Sequence, residues 1–322
     1  MYQHFYNFTR PPFDNIPDPG FLYLSPQHER VLSVLKYALL SRTGFCVITG
    51  NVGAGKTTLV RSILYDLGRS TVVGLVSNTQ CDSFEELMRW ILLSFNLEYR
   101  NKDKVEMYDD LVQFLIRQNE KGNFVTLIID EAQHLDMRVL EQLRMLSNVN
   151  TERGQLLQIV LVGQPELSDL LRKPEIQQFA QRISYDHFLG PLESAEITER
   201  YVRHRLSAVS DRDDIFEPNT YALIHKASGG IPRLINMICD TSLVYGFAEE
   251  LQTIPLRIIE QVLADKRMGL APLQRDPVET SAELPVNTNL NTIAPVAAKP
   301  RHRTTASLAD SIIERAMARK AE

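Results

Sequence analysis

Residues 50–57 have the types and spacing of a phosphate-binding loop. They read Gly-Asn-Val-Gly-Ala-Gly-Lys-Thr, after an apolar run at 45–49 and before a helix-like segment at 58–64. The glycines let several backbone N–H groups turn toward phosphate oxygens, Lys56 adds a positive charge near the β- and γ-phosphates, and the Thr57 hydroxyl can bind Mg²⁺. The segment therefore predicts a nucleoside triphosphate site. The predicted contacts are Gly50, Asn51, Val52, Gly53, Ala54, Gly55, Lys56, Thr57 and Thr58.

Two acids follow a second apolar run. Residues 124–129 read Phe-Val-Thr-Leu-Ile-Ile and lead into Asp130 and Glu131. In an enzyme with a phosphate-binding loop, an acid at this strand end holds Mg²⁺, and a following glutamate can orient or deprotonate the attacking water. We therefore predict that Asp130 and Thr57 serve the metal and that Glu131 acts on the water. A strand that simply ends in a polar turn is the alternative, and the upstream loop weighs against it.

The segments between the two motifs narrow the choice of nucleotide. A strand-like run at 71–77 and a long helical stretch separate Lys56 from Asp130, which is typical of ATPases that use a catalytic glutamate. The sequence has no Asn-Lys-x-Asp motif of the kind that Ras-like GTPases use to bind guanine. These observations favour adenine and predict ATP with Mg²⁺.

Gln164 and Arg233 are candidate sensors of the γ-phosphate. Gln164 follows a strand-like run at 158–162, where its amide could contact the phosphate and position water; a simple turn before Pro165 is the alternative. Arg233 follows a Gly-Gly-Ile-Pro turn at a predicted helix start, which places it to contact the nucleotide from a second domain rather than to lie on the surface.

Arg182 is a candidate arginine finger. Arg182, in the segment Phe-Ala-Gln-Arg-Ile at 179–183, is predicted to lie just before the last strand of the sheet, and its guanidinium could reach the γ-phosphate of a neighbouring subunit. Arg172 and Arg153 are rival candidates, and plain solvation at the surface is the alternative for Arg182.

Composition is that of an ordinary globular protein. The 322 residues are 44% hydrophobic and 23% charged, and the net charge of −5 gives no overall basic field for nucleic acid, although a local patch remains open. Cys46, Cys81 and Cys239 lie far apart, which predicts buried free thiols in a reducing cytoplasm. No segment resembles a signal peptide or approaches ~20 apolar residues. We expect a cytoplasmic location, with peripheral contact at the inner membrane left open.

Other notable side chains are assigned to packing. His134 and His187 have no partner at metal-ligand spacing and are predicted to be polar or packing residues. Phe84, Leu87 and Trp90 share one helical face and are predicted to lie in the core.

Strand-like and helix-like segments alternate up to Pro191. The strand-like runs are at 45–49, 71–77, 125–129 and 158–162, and the helical patterns are at 26–40, 58–64, 83–95, 105–119 and 138–149. This alternation predicts an α/β domain over 31–191, with a parallel sheet flanked by helices. Residues 1–30 are rich in proline and aromatic groups, which predicts an ordered, irregular lead-in.

The strand pattern stops after Pro191. Helical patterns at 193–209, 218–227, 233–247 and 255–266 predict a small all-helical lid domain over 192–268, in which Gly229 and Gly230 end one helix while Pro232 and Pro255 start others. Residues 269–322 are predicted to be a disordered linker with a short terminal helix at 306–320. A frayed tail, protein docking and membrane contact all remain open for that helix.

With these motifs in order, the chain resembles AAA+ ATPases and, more narrowly, ATPases of the ExeA (general secretion pathway protein A) type. The distinctive match is N-terminal: Met-Tyr-Gln-His-Phe-Tyr at 1–6, Pro12-Phe13, Pro-Asp-Pro-Gly-Phe-Leu-Tyr-Leu-Ser at 17–25, and His28. Asp-Glu-Ala-Gln-His-Leu at 130–135 and Gly-Gln-Pro-Glu-Leu at 163–167 extend it. The resemblance covers roughly residues 1–268.

The resemblance implies a homo-oligomeric ATPase, as a ring or filament, tied to secretion, pilus or exopolysaccharide export machinery at the bacterial envelope. Longer members carry a membrane span and a peptidoglycan-binding domain, and neither is found in these 322 residues. We therefore expect similarity to the short, soluble members of the family.

Two other functions remain as alternatives. The same group resembles transposition-helper ATPases that coat DNA, and a filament could gather a few basic residues per subunit into a track despite the acidic net charge. The tetrapeptide Asp-Glu-Ala-Gln at 130–133 also resembles a DEAD-like helicase motif. A helicase of that kind needs a second RecA-like domain, for which the remaining length is too short.

Overall fold

The computed structural model describes residues 1–267 except 17, 42–43, 67–69, 78–80, 82, 152–153 and 213. The described residues fall within one compact unit, Met1–Leu273. The predicted linker and terminal helix at 269–322 lie outside the described residues.

A five-stranded parallel sheet forms the centre of the described part of the chain. Its strands are β1 (Phe45–Gly50), β2 (Thr71–Val76), β3 (Phe124–Ile129), β6 (Leu157–Gly163) and β7 (Ile183–Leu189), in the order β2-β3-β6-β1-β7. Every residue of β1 and β6 is buried, as expected for central strands covered on both faces. The four predicted strands are thus confirmed. An unpredicted antiparallel pair is added by β4 (Asn150–Thr151) and β5 (Gly154–Gln155).

Twelve α-helices lie in the described residues. They are α1 (Tyr2–Phe5), α2 (Pro26–Ser41), α3 (Lys56–Asp66), α4 (Phe84–Ser94), α5 (Lys104–Glu120), α6 (Met137–Leu146), α7 (Pro165–Leu171), α8 (Gln177–Ala180), α9 (Ala195–Ser207), α10 (Thr220–Ser228), α11 (Pro232–Ala248) and α12 (Leu256–Arg267). Side-chain caps fix several starts. Ser83 accepts from Glu86 N, and Asp103 forms a capping box with Glu106. The helix predicted from Pro255 begins one residue later, at Leu256.

Alternate residues of the central strands pack against different helices. Phe45 and Val47 belong to a core cluster with residues of α4, α5 and α6, whereas Cys46 and Ile48 belong to a cluster with residues of α2 and α3. This two-residue period places helices on both faces of the sheet. Phe84 and Leu87 are buried in the first cluster and Trp90 packs partly buried against it.

The helices after the sheet form a separate core cluster, which we call the lid. It contains apolar residues of α9 to α12, among them Val202, Ile235 and Ile258. Helix α10 ends at Ser228, the following Gly229 has a φ of 57° in the left-handed region, and α11 begins at Pro232. The α/β fold with a helical lid is therefore observed, while the domain boundaries at 30, 191 and 268 stay a prediction.

Within the lead-in, the described residues that precede α2 pack on the lid. Tyr6, Phe8, Phe13 and Phe21 are buried in the lid's core cluster. The Tyr6 hydroxyl donates to Leu251 O at 2.9 Å. Because these aromatic groups complete the lid's interior, the lead-in is an ordered part of the fold.

All three cysteines are buried and free, as predicted. Among the described residues, no helix is both long and apolar enough to cross a membrane.

Candidate functional site

The phosphate-binding loop connects β1 to α3 and depends on glycine at two positions. Gly53 and Gly55 have φ values of 80° and 97°, a region that side chains with a Cβ rarely adopt. A Cβ at Gly53 would also lie 2.5 Å from Arg233 Cβ. The loop can therefore take this shape, and receive the lid, only with glycine at residue 53.

Lys56 is held inside its own loop. Lys56 is only 7% exposed. Its Nζ donates to Gly50 O at 2.8 Å and to Asn51 O at 3.0 Å. Burial lowers the pKa of Lys56, and the negative charges of Glu131 and Asp130 oppose that shift. The ammonium group thus lies beside the backbone groups predicted to surround phosphate.

Thr57 and Asp130 meet across the site. Thr57 Oγ1 donates to Asp130 Oδ2 at 2.9 Å, and Asp130 Oδ1 accepts from Glu131 N at 3.0 Å. A hydroxyl oxygen beside a carboxylate suits Mg²⁺, which prefers hard oxygen ligands. Within the described ranges, no group of three or more His, Cys, Asp or Glu could hold a metal. Thr57 and Asp130 would therefore supply two oxygen ligands to a Mg²⁺ ion.

Two side-chain amides donate hydrogen bonds to the Glu131 carboxylate. It has left-handed backbone angles, φ 54° and ψ 36°, between β3 and a short 3₁₀ turn at Ala132–His134. Its Oε2 accepts from Gln133 Nε2 at 2.7 Å and from Gln164 Nε2 at 3.2 Å. Burial raises the pKa of Glu131, but these hydrogen bonds and the Lys56 charge outweigh it and the net pKa lies below the usual value. Glu131 is thus ionised at neutral pH.

The lid reaches the loop through Arg233. Arg233 N, at the start of α11, donates to Gly53 O at 3.3 Å. The turn before α11 is seated by Leu192 N, which donates to Gly230 O at 2.8 Å. A Cβ at Gly230 would lie 2.3 Å from Leu192 O, so this contact also requires glycine.

These groups line one cavity of about 350 Å³, a size suited to a nucleotide-sized ligand. The predicted residues in its lining are Val52, Gly53, Ala54, Gly55, Lys56, Thr57, Thr58, Glu131, Gln164 and Arg233. Gly50, Asn51 and Asp130 adjoin them through the contacts with Lys56 and Thr57. The structure therefore brings together the loop, the two acids, Gln164 and Arg233, although their catalytic roles stay predictions.

Residues of the lead-in and lid that were not predicted also line the cavity. Asn15 Oδ1 accepts from Asn236 Nδ2 at 3.2 Å, and the Tyr201 hydroxyl donates to Asn236 Oδ1 at 2.7 Å. Arg205, only 6% exposed, donates to Pro12 O at 2.6 Å and to Asp14 O at 2.8 Å. Its guanidinium carbon lies 4.3 Å from the Phe21 ring centre. No local motif marks Arg205 or Asn236 for this position.

His28 was predicted only as part of the N-terminal signature. In the structure it contacts the phosphate-binding loop. It is 4% exposed, Nδ1 lies 2.7 Å from Ser25 Oγ, and Nε2 lies 3.2 Å from Ala54 O. Since a carbonyl only accepts, Nε2 carries the proton and Nδ1 accepts from the serine hydroxyl. Burial lowers the pKa of His28.

The arginine-finger candidates lie apart from this cavity. Arg182 O accepts from Phe45 N, so Arg182 lies at the start of β1, while the phosphate-binding loop follows its end. Its guanidinium contacts Asn148 Oδ1. Arg172 is highly exposed beside Asp169, and Arg153 lies outside the described residues. The position of Arg182 excludes contact with its own subunit's site, and a role toward a neighbour stays a prediction.

Comparison with known proteins identifies a matching domain family and a sequence relative of this chain. Residues 39–171 match the AAA domain. The chain is 40% identical over 249 residues to General secretion pathway protein A of Aeromonas hydrophila, a match that covers 77% of this chain and 45% of that protein. The chain thus spans less than half the length of this relative.

Two solved structures share the fold. The Aeropyrum pernix ORC2 protein in ADPNP–ADP complexes has a TM-score of 0.60 at 17% identity, covering 80% of this chain and 72% of that chain. The Aeropyrum pernix ORC1 protein in complex with DNA has a TM-score of 0.60 at 15% identity, covering 80% and 70%. At these identities the likeness shows the fold alone. The match to the AAA domain and the 40% identity to General secretion pathway protein A support the assignment of this chain to the AAA+ ATPases of the ExeA type.

Proposed function

We propose that this chain binds ATP with Mg²⁺ between sheet and lid, hydrolyses it, and uses the cycle to drive or regulate assembly of a bacterial secretion, pilus or exopolysaccharide export system. The nucleotide-binding part of this proposal rests on one observation, which is that the predicted site residues lie together. Lys56, Thr57, Glu131, Gln164 and Arg233, which come from four separate chain segments, line one cavity.

Binding uses groups that are already in place. Lys56 exchanges its carbonyl acceptors, Gly50 O and Asn51 O, for β- and γ-phosphate oxygens, while the loop N–H groups hold the same phosphates. Thr57 and Asp130 would hold Mg²⁺, which neutralises phosphate charge when bound. The polar lining from the lead-in and lid is available to the base and ribose.

Hydrolysis then needs a directed water. Glu131, ionised at neutral pH, accepts a proton as the water oxygen forms a bond to the γ-phosphorus. The bond from that phosphorus to the β–γ bridging oxygen breaks, which leaves ADP and inorganic phosphate. Gln164, which is hydrogen-bonded to Glu131, would contact the γ-phosphate through its side-chain amide.

Oligomerisation would couple the nucleotide sites of neighbouring subunits. We place Arg182 of one subunit in the site of its neighbour in a ring or filament, because it lies at the end of the sheet away from its own loop. Arg233, at the junction of loop and lid, would transmit the nucleotide state to the lid.

The name of the Aeromonas hydrophila relative supports an envelope role for this chain. A cytoplasmic position with peripheral contact at the inner membrane, through export-system partners, is part of the same proposal.

DNA coating, as in transposition-helper ATPases, is the second candidate. One protein of the same fold, Aeropyrum pernix ORC1, was solved in complex with DNA. The net charge of −5 opposes this function, because DNA affinity rests largely on cationic contacts to phosphate.

The variant Glu131→Gln tests the hydrolytic part of the proposal. It should bind ATP normally, lose turnover by roughly 100-fold or more, and accumulate an ATP-bound oligomer. Turnover would be measured as phosphate release and oligomer size by light scattering, with the exposed Glu175→Gln as the matched control. Normal turnover in Glu131→Gln would remove the proposed role of Glu131.

Titration of the trapped oligomer separates the two cellular functions. Duplex DNA at low and moderate salt should leave it unbound under the envelope proposal. Tight, ATP-dependent and salt-sensitive coating would instead favour the DNA function.

A further inference from the structure

Glu131 occupies a backbone conformation that does not by itself fix its side chain. The residue is left-handed, outside both β3 and the following 3₁₀ turn, where side chains other than glycine are uncommon. A carboxylate that must direct a water molecule needs a defined position, since small displacements of a catalytic group cost rate steeply. The direction of Glu131 therefore depends on the side chains that bind it.

Gln133 contacts both the side chain of Glu131 and the backbone of Gln164, the residue after β6. Its Nε2 donates to Glu131 Oε2 at 2.7 Å, and its Oε1 accepts from Gln164 N at 3.0 Å. These partners fix the orientation of the amide, because a flipped amide would place its oxygen against the carboxylate and its NH₂ group against an N–H group. The same side chain thus joins the residue after β3 to the residue after β6.

The β6 side of this bridge is built around Gln133. A Cβ at Gly163 would lie 3.0 Å from Gln133 Oε1 and 2.8 Å from Leu167 Cδ2. Glycine at this position therefore admits the glutamine oxygen to the backbone. Gln164 returns to the bridge through its own side chain, which donates to Glu131 Oε2 at 3.2 Å.

We propose that Gln133 is a positioning residue for ATP hydrolysis, which ties the carboxylate of Glu131 to the backbone of Gln164 so that the water-directing and phosphate-sensing groups keep a fixed separation. The inference rests on the proposed role of Glu131. The Gln133 amide nitrogen donates a charge-assisted hydrogen bond to the Glu131 carboxylate, and its amide oxygen accepts a hydrogen bond from Gln164 N. Gln133 therefore acts by positioning these two residues and does not itself contact the substrate.

Two substitutions of Gln133 in the full chain test this role. Gln133→Met keeps the length of the side chain and removes its hydrogen bonds to Glu131, Gln164 N and His134. It should therefore lower kcat by roughly 10- to 100-fold, the effect of losing a supporting partner. The affinity for a fluorescent ATP analogue should stay within about twofold, since the phosphate-binding loop is untouched. Gln133→Glu keeps the acceptor for Gln164 N but sets two carboxylates together, so it should lower kcat further.

The pair swap Glu131→Gln with Gln133→Glu separates positioning from packing. It restores an amide-to-carboxylate hydrogen bond with reversed polarity, so it should regain the thermal stability lost in Gln133→Glu while remaining without turnover. This comparison of melting temperatures stays informative if Gln133→Met folds poorly.

A kcat of Gln133→Met within twofold of wild type would overturn the inference, as would a pair swap no more stable than Gln133→Glu. Glu131→Gln, assayed in parallel, keeps the two claims apart. If Glu131→Gln is inactive while Gln133→Met is normal, only the role of Gln133 fails. If Glu131→Gln hydrolyses ATP normally, the proposed role of Glu131 fails instead.

Discussion

The cavity has two walls of different origin. The sheet wall contains residues 52–58, Glu131 and Gln164, and the lid wall contains lead-in residues 14–16 with Tyr201, Arg205 and Asn236. In the sheet wall the phosphate-binding groups belong to one short segment. In the lid wall, Arg205 binds the carbonyl of Pro12, 193 residues away in sequence, and Asn236 binds Asn15, 221 residues away. The predicted phosphate-binding groups are thus encoded by a local segment, while the enclosure of the cavity depends on packing between residues distant in sequence.

The two walls meet at a backbone hydrogen bond. Arg233 N donates to Gly53 O at 3.3 Å, where glycine leaves room for the arginine. Substitutions in the sheet wall should therefore affect phosphate binding and turnover. Substitutions in the lid wall should affect stability and affinity, and changes at the junction should affect both.

The largest effect is expected in the sheet wall, at Lys56. Lys56→Ala removes the buried ammonium group from the phosphate site and should weaken ATP binding by roughly 100-fold, or ~3 kcal/mol, the upper range for a charged hydrogen bond. Calorimetry with ATP and Mg²⁺ measures this, with the exposed Lys173→Ala as control. Undiminished affinity in Lys56→Ala would contradict the assignment of the nucleotide site.

Gly53→Ala tests the junction. The new Cβ would lie 2.5 Å from Arg233 Cβ, on a backbone with a φ of 80°. We expect a loss of about 1–3 kcal/mol in the free energy of unfolding and a roughly tenfold rise in the Kd for ATP, because either the loop or the lid must shift. Gly122→Ala, also at positive φ but with open space around its Cβ, isolates the backbone strain. Equal effects of the two substitutions would show that the contact with Arg233 is unimportant.

Arg205→Met tests the lid wall. It removes three hydrogen bonds, to Pro12 O, Asp14 O and the Tyr201 hydroxyl. The free energy of unfolding should fall by about 2–3 kcal/mol, since the carbonyl acceptors lose a charged donor. Affinity for ATP should weaken several-fold while kcat at saturating ATP changes little. Urea unfolding and steady-state kinetics check both, with the exposed Arg200→Met on the same helix as control. A fall in kcat without a loss of stability would break the division between the walls.

The smallest effect is a pH dependence at His28, beneath the sheet wall. Its pKa is lowered by burial, so between the folded-state pKa and the ordinary value of 6.5 the unfolded chain binds a proton that the folded chain does not. The stability associated with neutral His28 is thus complete above pH 6.5 and decreases as pH falls below it.

His28→Gln keeps an amide donor for Ala54 O and removes the titration. The difference in unfolding free energy between wild type and His28→Gln should therefore shrink from pH 7.5 to 5.5. His187, His204 and His225 also have lowered pKa values, but they are common to both proteins and cancel in the difference. A difference that does not vary with pH would show that His28 does not titrate in this way.

The sheet and much of the sheet wall could be predicted because their signals are local. The runs of β-branched residues predicted β1, β2, β3 and β6, which the structure contains. The positions of Asp130 and Glu131 follow from the rule that parallel strands end at one edge of the sheet. Gln133 was missed, because its role depends on an amide reaching across to the residue after β6, and nothing in its local sequence indicates that contact.

The N-terminal segment shows the limit most clearly. Its aromatic content indicated order, but it could not show that Tyr6 and Phe13 complete the core of the lid rather than that of the sheet. Arg205 has the spacing of an ordinary surface arginine on α9, yet the lead-in buries it. Short hydrophobic periodicity does not specify which distant surface a residue will meet.

The sequence by itself predicted the phosphate-binding chemistry, because glycine, lysine and threonine at fixed spacing in one loop, with two acids at the end of a later strand, have few other uses. It also determined the alternation of strands and helices that holds those groups at one edge of a sheet. Only the tertiary structure decided that the lead-in and Arg205 enclose the site, that Gln133 links Glu131 to Gln164, and that Arg182 lies at the far end of the sheet. Those contacts join residues distant in sequence, and their partners are selected by the packing of the whole chain.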